Sequence, residues 1–181
     1  MTTDLSTYNN AWYDPGSWLK RVCWYPVNEI IFKSAWFPFY GLKRSFLRLF
    51  GARVGKGVFI KPGVNIKYPW FLIIGDHVWI GEKVWIDNLA KVTIGNHVCL
   101  SQGAILLCGN HNFSTPSFEL MAEPISLEDG VWIGAGAVVC GGVSCRSHSV
   151  LSVSSVATGT LLPYSIYQGN PAQKVKDRMI R

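Results

Sequence analysis

Residues 74–86, Ile74-Gly75-Asp76-His77-Val78-Trp79-Ile80-Gly81-Glu82-Lys83-Val84-Trp85-Ile86, contain the same six-residue unit twice over. An aliphatic residue opens each unit, Gly follows it at 75 and 81, and Val stands four places after it at 78 and 84. The beat spreads in both directions. It includes Val54, Ile60 and Ile66 before this stretch and Val92 after it. It restarts at Ile94, Leu100 and Leu106, and again from Leu127 through Ile133, Val139, Cys145 and Leu151 to Ala157. Fourteen of these sixteen positions are Val, Ile or Leu, against 46 of the 181 residues overall, so the period is a property of order and not of composition. A fixed six-residue period predicts a parallel β-helix, with three hexapeptides closing one triangular coil and the beat residues stacked inward. Glycines 55, 75, 81, 95 and 134 and their Asp, Asn or Glu neighbours are expected at corners with unusual backbone angles. A helix cannot keep a period of six on one face, and the β-branched content opposes it.

The chain divides at residue 50. Residues 1–16 read as irregular. Residues 17–37 are predicted to be a helix opened by Ser17 and interrupted at Pro26, and 40–50 a second, amphipathic helix with Leu42, Phe46, Leu49 and Phe50 on one face. The expected organisation is an aromatic, basic arm over 1–50, a β-helix over 51–168 with a loop extruded at 110–126, and a basic tail over 169–181. The loop falls where the beat breaks, in the 21-residue step from Leu106 to Leu127. A loop thrown out of a regular scaffold marks a functional site.

The net charge of +6 is uneven. Residues 1–61 hold nine Lys/Arg and three acids, 62–173 four and seven, and 174–181 four and one. Basic ends suit phosphates on a coenzyme or a lipid headgroup, and no nucleic-acid module is readable. The arm has two compatible readings: a cap on the open end of the β-helix, or a surface lying on the inner membrane face. On the second reading, removing residues 1–40 should detach the protein from membranes and spare its chemistry. Five cysteines, an odd number without a CxxC pair, argue against a disulfide framework and favour a reducing, cytoplasmic setting.

Three of the four histidines, His77, His97 and His148, stand three residues after a beat position and share one outward corner slot. His111 alone falls in the irregular stretch, where a neutral imidazole can take a proton from a hydroxyl near neutral pH. Three histidines in one outward slot do not converge on zinc, which argues against a metal enzyme of the γ-carbonic anhydrase type.

Gly109-Asn110-His111-Asn112 before the excursion, Val131-Trp132-Ile133-Gly134 after it and the closing Gly169-Asn170-Pro171-Ala172 resemble the hexapeptide-repeat O-acetyltransferases. The resemblance is to the branch of the colanic acid biosynthesis acetyltransferases, with maltose, galactoside and nodulation types as cousins. Leu47-Arg48-Leu49-Phe50-Gly51-Ala52 and Lys67-Tyr68-Pro69-Trp70 are similar to that branch too. The resemblance implies a mainly β, left-handed parallel β-helix, a homotrimer with sites between subunits, and acetyl-CoA as co-substrate without a metal. It implies His111 as general base, with Asp87, Asn88, Trp132 and Glu119 near the acceptor. Ala135, Gly136, Val153, Ser154 and Thr158 would lie along the coenzyme, and Lys174, with Lys176 and Arg178, would supply charge where Gly159 replaces a Lys frequent in relatives. The acceptor is expected to be a sugar hydroxyl of a polysaccharide unit or of its lipid-linked precursor. Transfer to an amino sugar and a non-catalytic scaffold are the alternatives.

Overall fold

The computed structural model describes residues 2–180. From Arg53 the chain winds as a three-sided parallel β-helix. The first face stacks Arg53–Val54, Leu72–Ile74, Val92–Ile94, Ile125–Leu127 and Ser144–Cys145. The second stacks Phe59–Ile60, Trp79–Ile80, Cys99–Leu100, Trp132–Ile133, Val150–Leu151 and Ser165–Gly169. The third stacks Asn65–Ile66, Trp85–Asp87, Ile105–Leu107, Val138–Cys140 and Val156–Ala157. Every beat residue from Ile60 to Ala157 is buried, and so are the residues four places on apart from Trp70, Ala90, Asn96 and Asn110; of the beat residues only Val54, at the open start, is partly exposed. The residues expected as a tail return along the second face as the antiparallel strand Ala172–Asp177.

The corner slot three residues after the beat is left-handed at eleven positions, though not at Pro69, Leu89, Gly95, Gly109 or Thr160. Gly57, Gly63, Gly103, Gly130, Gly136 and Gly142 share these eleven with His77, Lys83, His97, His148 and Ser154, all with φ between 54° and 78°. The glycines directly after the beat do something else, which corrects the expectation from the sequence. None of Gly55, Gly75, Gly81, Gly95 and Gly134 has positive φ; they stand where one coil touches the next. A Cβ at Gly75 would come within 2.7 Å of the Gly95 carbonyl carbon and 2.6 Å of Asn96 Oδ1. That clearance admits a ladder in which Asp76, Asn96 and Asp129 each accept, through Oδ1, the backbone N–H of Lys56, Asp76 and Asn96 on the coil below, at 2.7–2.9 Å.

The arm closes the open end of the coil stack. Helix α1 (Trp18–Val27) starts at Ser17, whose Oγ accepts the Lys20 N–H, and runs through Pro26 into a wider π turn, Asn28–Phe32. Helix α2 spans Tyr40–Leu49. The first coil has no coil beneath it, so its carbonyls need donors. Trp24 Nε1 donates to Ile66 O, Lys43 Nζ to Lys61 O, Arg44 Nη1 to Val58 O, and Arg48 Nη2 to Val54 O and Gly55 O, at 2.7–3.1 Å. Asn28 Oδ1 accepts the Ile66 N–H. The face of α2 turned inward is therefore Lys43 and Leu47, flanked by Phe46 and Phe50, while Leu42 and Leu49 point to solvent, contrary to the amphipathic reading. Part of the basic excess serves carbonyls and not phosphates.

Two outcomes test this packing. Gly75→Ala should lower stability by about 2 kcal/mol or more because backbone must move, whereas Gly159→Ala, with no atom within 4 Å of the added carbon, should change it little; thermal melts compare the two. Burial pushes the Lys43 ammonium down to about 8, so the folded state carries the penalty of a buried charge below that pH and loses it as pH rises toward the ordinary lysine value. The melting temperature of the wild type relative to Lys43→Met should climb between pH 8 and about 10.5. A constant difference across that range refutes the assignment.

Candidate active site

Coil lengths decide where the site lies. Arg53 pairs with Ile73 and Ile73 with Thr93, steps of 20 residues; Thr93 pairs with Ser126, a step of 33; Ser126 pairs with Ser144, a step of 18. The excess over 18 leaves at one corner each time, between the third face and the first. On the first coil it includes Lys67, Tyr68 and the turn Pro69–Phe71, on the second Asp87 to Leu89, and on the third the hairpin of Gly109–His111 with Leu120–Ala122. Three successive insertions stack into a wall, and a pocket of about 400 Å³ opens in it, lined by Lys67, Tyr68, Asp87, Leu89, Gly109, Asn110, His111 and Leu120.

His111 faces Leu120 across the hairpin, and its ring lies flat on Phe118 with centroids 4.5 Å apart. Phe118 adopts φ 51°, and its carbonyl lies 2.9 Å from His111 Nδ1. A carbonyl only accepts, so Nδ1 carries the hydrogen in the neutral ring and Nε2 keeps its lone pair. Gly109 allows the hairpin to descend onto the second coil: a Cβ there would meet Leu89 Cδ1 at 2.5 Å.

Asp87 is buried in the same pocket. Lys67 Nζ stands 3.0 Å from its Oδ1 without the alignment of a hydrogen bond. Asn88 is fully buried and holds the Tyr68 backbone through both ends of its amide, at 3.0 and 2.6 Å; this leaves it a structural residue that does not line the pocket. Glu119 is exposed, accepts from Ser117 Oγ, and stays outside the lining.

The arm supplies residues that sequence reasoning missed. Tyr8, Asn10, Tyr13, Pro15 and Arg21 complete the pocket. Tyr13 Oη donates to Leu89 O at 2.7 Å, and burial raises its phenol well above the usual range. Trp70 Nε1 holds Pro15 O, and Asp4 N–H holds Pro116 O in the hairpin. No spacing in the sequence announces these contacts, which join segments more than 50 residues apart.

Trp132, Ala135 and Val153 lie on another side of the prism. They line a groove of about 720 Å³ along the second face with Ser101, Gln102, Lys176 and Arg178. Trp132 Nε1 donates to Ser101 Oγ at 2.9 Å. Gly136 and Ser154 border the groove in the left-handed corner slot one coil apart, and Thr158 is exposed beyond it. Lys174 pairs with Asp177 at 2.7 Å, and Arg178 holds the carbonyls of Gly130 and His148, which leaves Lys176, among the described residues, as the free cation of the groove. The groove and the His111 pocket share no residue within one chain. Among the described residues no three His, Cys, Asp or Glu are grouped to hold a metal.

No protein-family model matches the chain. It is 35% identical over 166 residues to the colanic acid biosynthesis acetyltransferase WcaF of Escherichia coli strain K12, an alignment covering 91% of this chain and 90% of that one. The chain belongs to the hexapeptide-repeat acetyltransferases. The galactoside O-acetyltransferase of the same strain is 25% identical over 138 residues, 75% of this chain and 68% of that one. The structure of the hexapeptide-repeat acetyltransferase VCA0836 from Vibrio cholerae, solved with acetyl-CoA, superposes with a TM-score of 0.82 at 24% identity, over 92% of this chain and 93% of that chain. This acetyltransferase thus has the left-handed β-helix of its family, and its enzyme class is acyltransferase.

Proposed function

We propose that this acetyltransferase moves the acetyl group of acetyl-CoA to a sugar hydroxyl, with His111 as general base. The observation that carries the reading is the imidazole fixed by the Phe118 carbonyl, its Nε2 lone pair free, beside the buried Asp87 carboxylate in a pocket of sugar size. His111 Nε2 takes the hydroxyl proton as the oxygen attacks the thioester carbonyl carbon; the C–S bond then breaks, and the imidazolium returns the proton to the departing thiolate. The Phe118 carbonyl stabilises the imidazolium formed in between. Base catalysis of this kind contributes about 10²–10⁴-fold, and alignment of both reactants adds to it.

The coenzyme fits the second-face groove, where Ala135 and Val153 lie along it and Lys176 offers charge to its phosphates. Base and groove lie on different sides of one chain, so a complete site needs a second copy whose groove abuts the His111 corner; three copies about one axis satisfy this for all. The acceptor reading extends to a saccharide carried on a lipid. The outer face of α1, with Trp18, Leu19 and Val22, is apolar and exposed, as is Ile30 in the π turn that follows, and Trp36 is 94% exposed. Aromatic rings in a segment with six more basic than acidic residues over 1–61 suit an anionic membrane surface. No helix among the described residues is long and apolar enough to cross a membrane. The arm is not a detachable anchor, since it caps the coils and lends Tyr13 and Arg21 to the pocket.

His111→Ala should lower kcat about 10²-fold or more while leaving acetyl-CoA affinity and melting temperature near wild type; unchanged turnover in a released-thiol assay removes His111 from this role. Trp18→Glu with Val22→Glu should cut co-sedimentation with phosphatidylglycerol vesicles at least about tenfold, and wild-type pelleting of that variant refutes membrane contact through α1.

A further inference from the structure

The pocket at His111 does not end at Asp87. A second hollow of about 430 Å³ adjoins it, and Arg21, Lys67, Tyr68 and Asp87 bound both. The two form one cleft along the third face of the prism, under α1. The far part contains Trp85 and Tyr25, neither of which touches the His111 pocket. Trp85 points outward from the strand Trp85–Asp87 and is 40% exposed. Trp79 packs edge-on against Phe59 and Trp70 stacks on Tyr68, whereas no ring among the described residues packs on Trp85. Its indole is an open platform.

The junction between the hollows is polar and incompletely satisfied. Arg21 Nε is buried without an acceptor, and Arg21 forms no ion pair among the described residues. Asp87 Oδ1 has only the misaligned Lys67 ammonium. Buried donors and acceptors of this kind are regularly completed by a ligand or water. Trp85 and Asp87 are two residues apart on one strand, about 7 Å, roughly the span of one pyranose.

We propose that the acceptor is an oligosaccharide of at least two units: the reacting ring sits at His111, the linkage oxygens meet Arg21, and the neighbouring ring lies flat on Trp85. This rests on the sugar acetylation proposed above and adds a second subsite to it. A sugar ring has an apolar C–H face and a polar rim, which matches an indole floor with Glu29 and Asn65 at its edge. A nucleotide-sugar with its diphosphate at the junction fits less well, because it would meet the buried Asp87 carboxylate, which already stands 3.0 Å from Lys67 Nζ.

The test is a released-thiol assay on the full chain, with acetyl-CoA and a matched series of methyl hexosides, disaccharides and tetrasaccharides, and nucleotide-sugars beside them. The expected result is a rise in kcat/KM of about tenfold or more from one unit to two, and loss of that ratio in Trp85→Ala and independently in Tyr25→Ala. Circular dichroism confirms that both variants are folded. Equal use of one- and two-unit acceptors, preference for nucleotide-sugars, or a ratio that survives both substitutions overturns the second subsite. If monosaccharides are acetylated with no gain from a second unit, only this subsite fails. If no sugar of any length is acetylated, the sugar reading fails and the subsite with it.

Discussion

Hydrogen bonding of each coil to the next is the constraint on which the rest depends. A parallel β-helix keeps its interior only while residues six apart stay in register around three faces, so no surplus residue can remain within a face. It must leave at a corner. Here the surplus of three successive coils leaves at the same corner, where Lys67 and Tyr68, then Asp87 and Leu89, then the His111 hairpin stack upon one another. The regularity of the scaffold thus concentrates its irregularity, and a concave polar wall forms at one corner of the prism.

The same ladder leaves its first coil with open carbonyls. An exposed parallel edge invites pairing with another chain. Helices α1 and α2 end it by side chains rather than by another strand: one indole, one ammonium and two guanidinium groups reach five carbonyl oxygens. This explains a lysine buried in place of a leucine on α2. It also ties the arm to the site, because the elements that cap the coil stack hold Arg21 and Tyr13 against the insertion corner.

Electrostatics within the site follow from burial. Asp87 lies in the wall 3.0 Å from the Lys67 ammonium, and the His111 tautomer is dictated by a carbonyl held at positive φ. Neither feature requires a charged partner for the imidazole. The second-face groove and the His111 pocket lie on different sides of the prism, so the chemistry proposed above calls for a second copy.

The six-residue beat, read alone, determined the interior: each aliphatic position it marks from Ile60 to Ala157 is buried. It also separated His111 from His77, His97 and His148, because a left-handed corner slot is periodic and a hairpin is not. It did not show that the glycines after the beat answer to coil spacing, since φ and close approach leave the same glycine in a sequence. Nor did apolar pattern predict the inward face of α2, where Lys43 replaces Leu42 because the edge beneath asks for a donor rather than for apolar area. Tertiary structure alone decided the site's remaining members. Tyr8, Tyr13 and Arg21 meet Asp87 and His111 only because the N-terminal segment closes over a corner built far along the chain, and such contacts have no period to read.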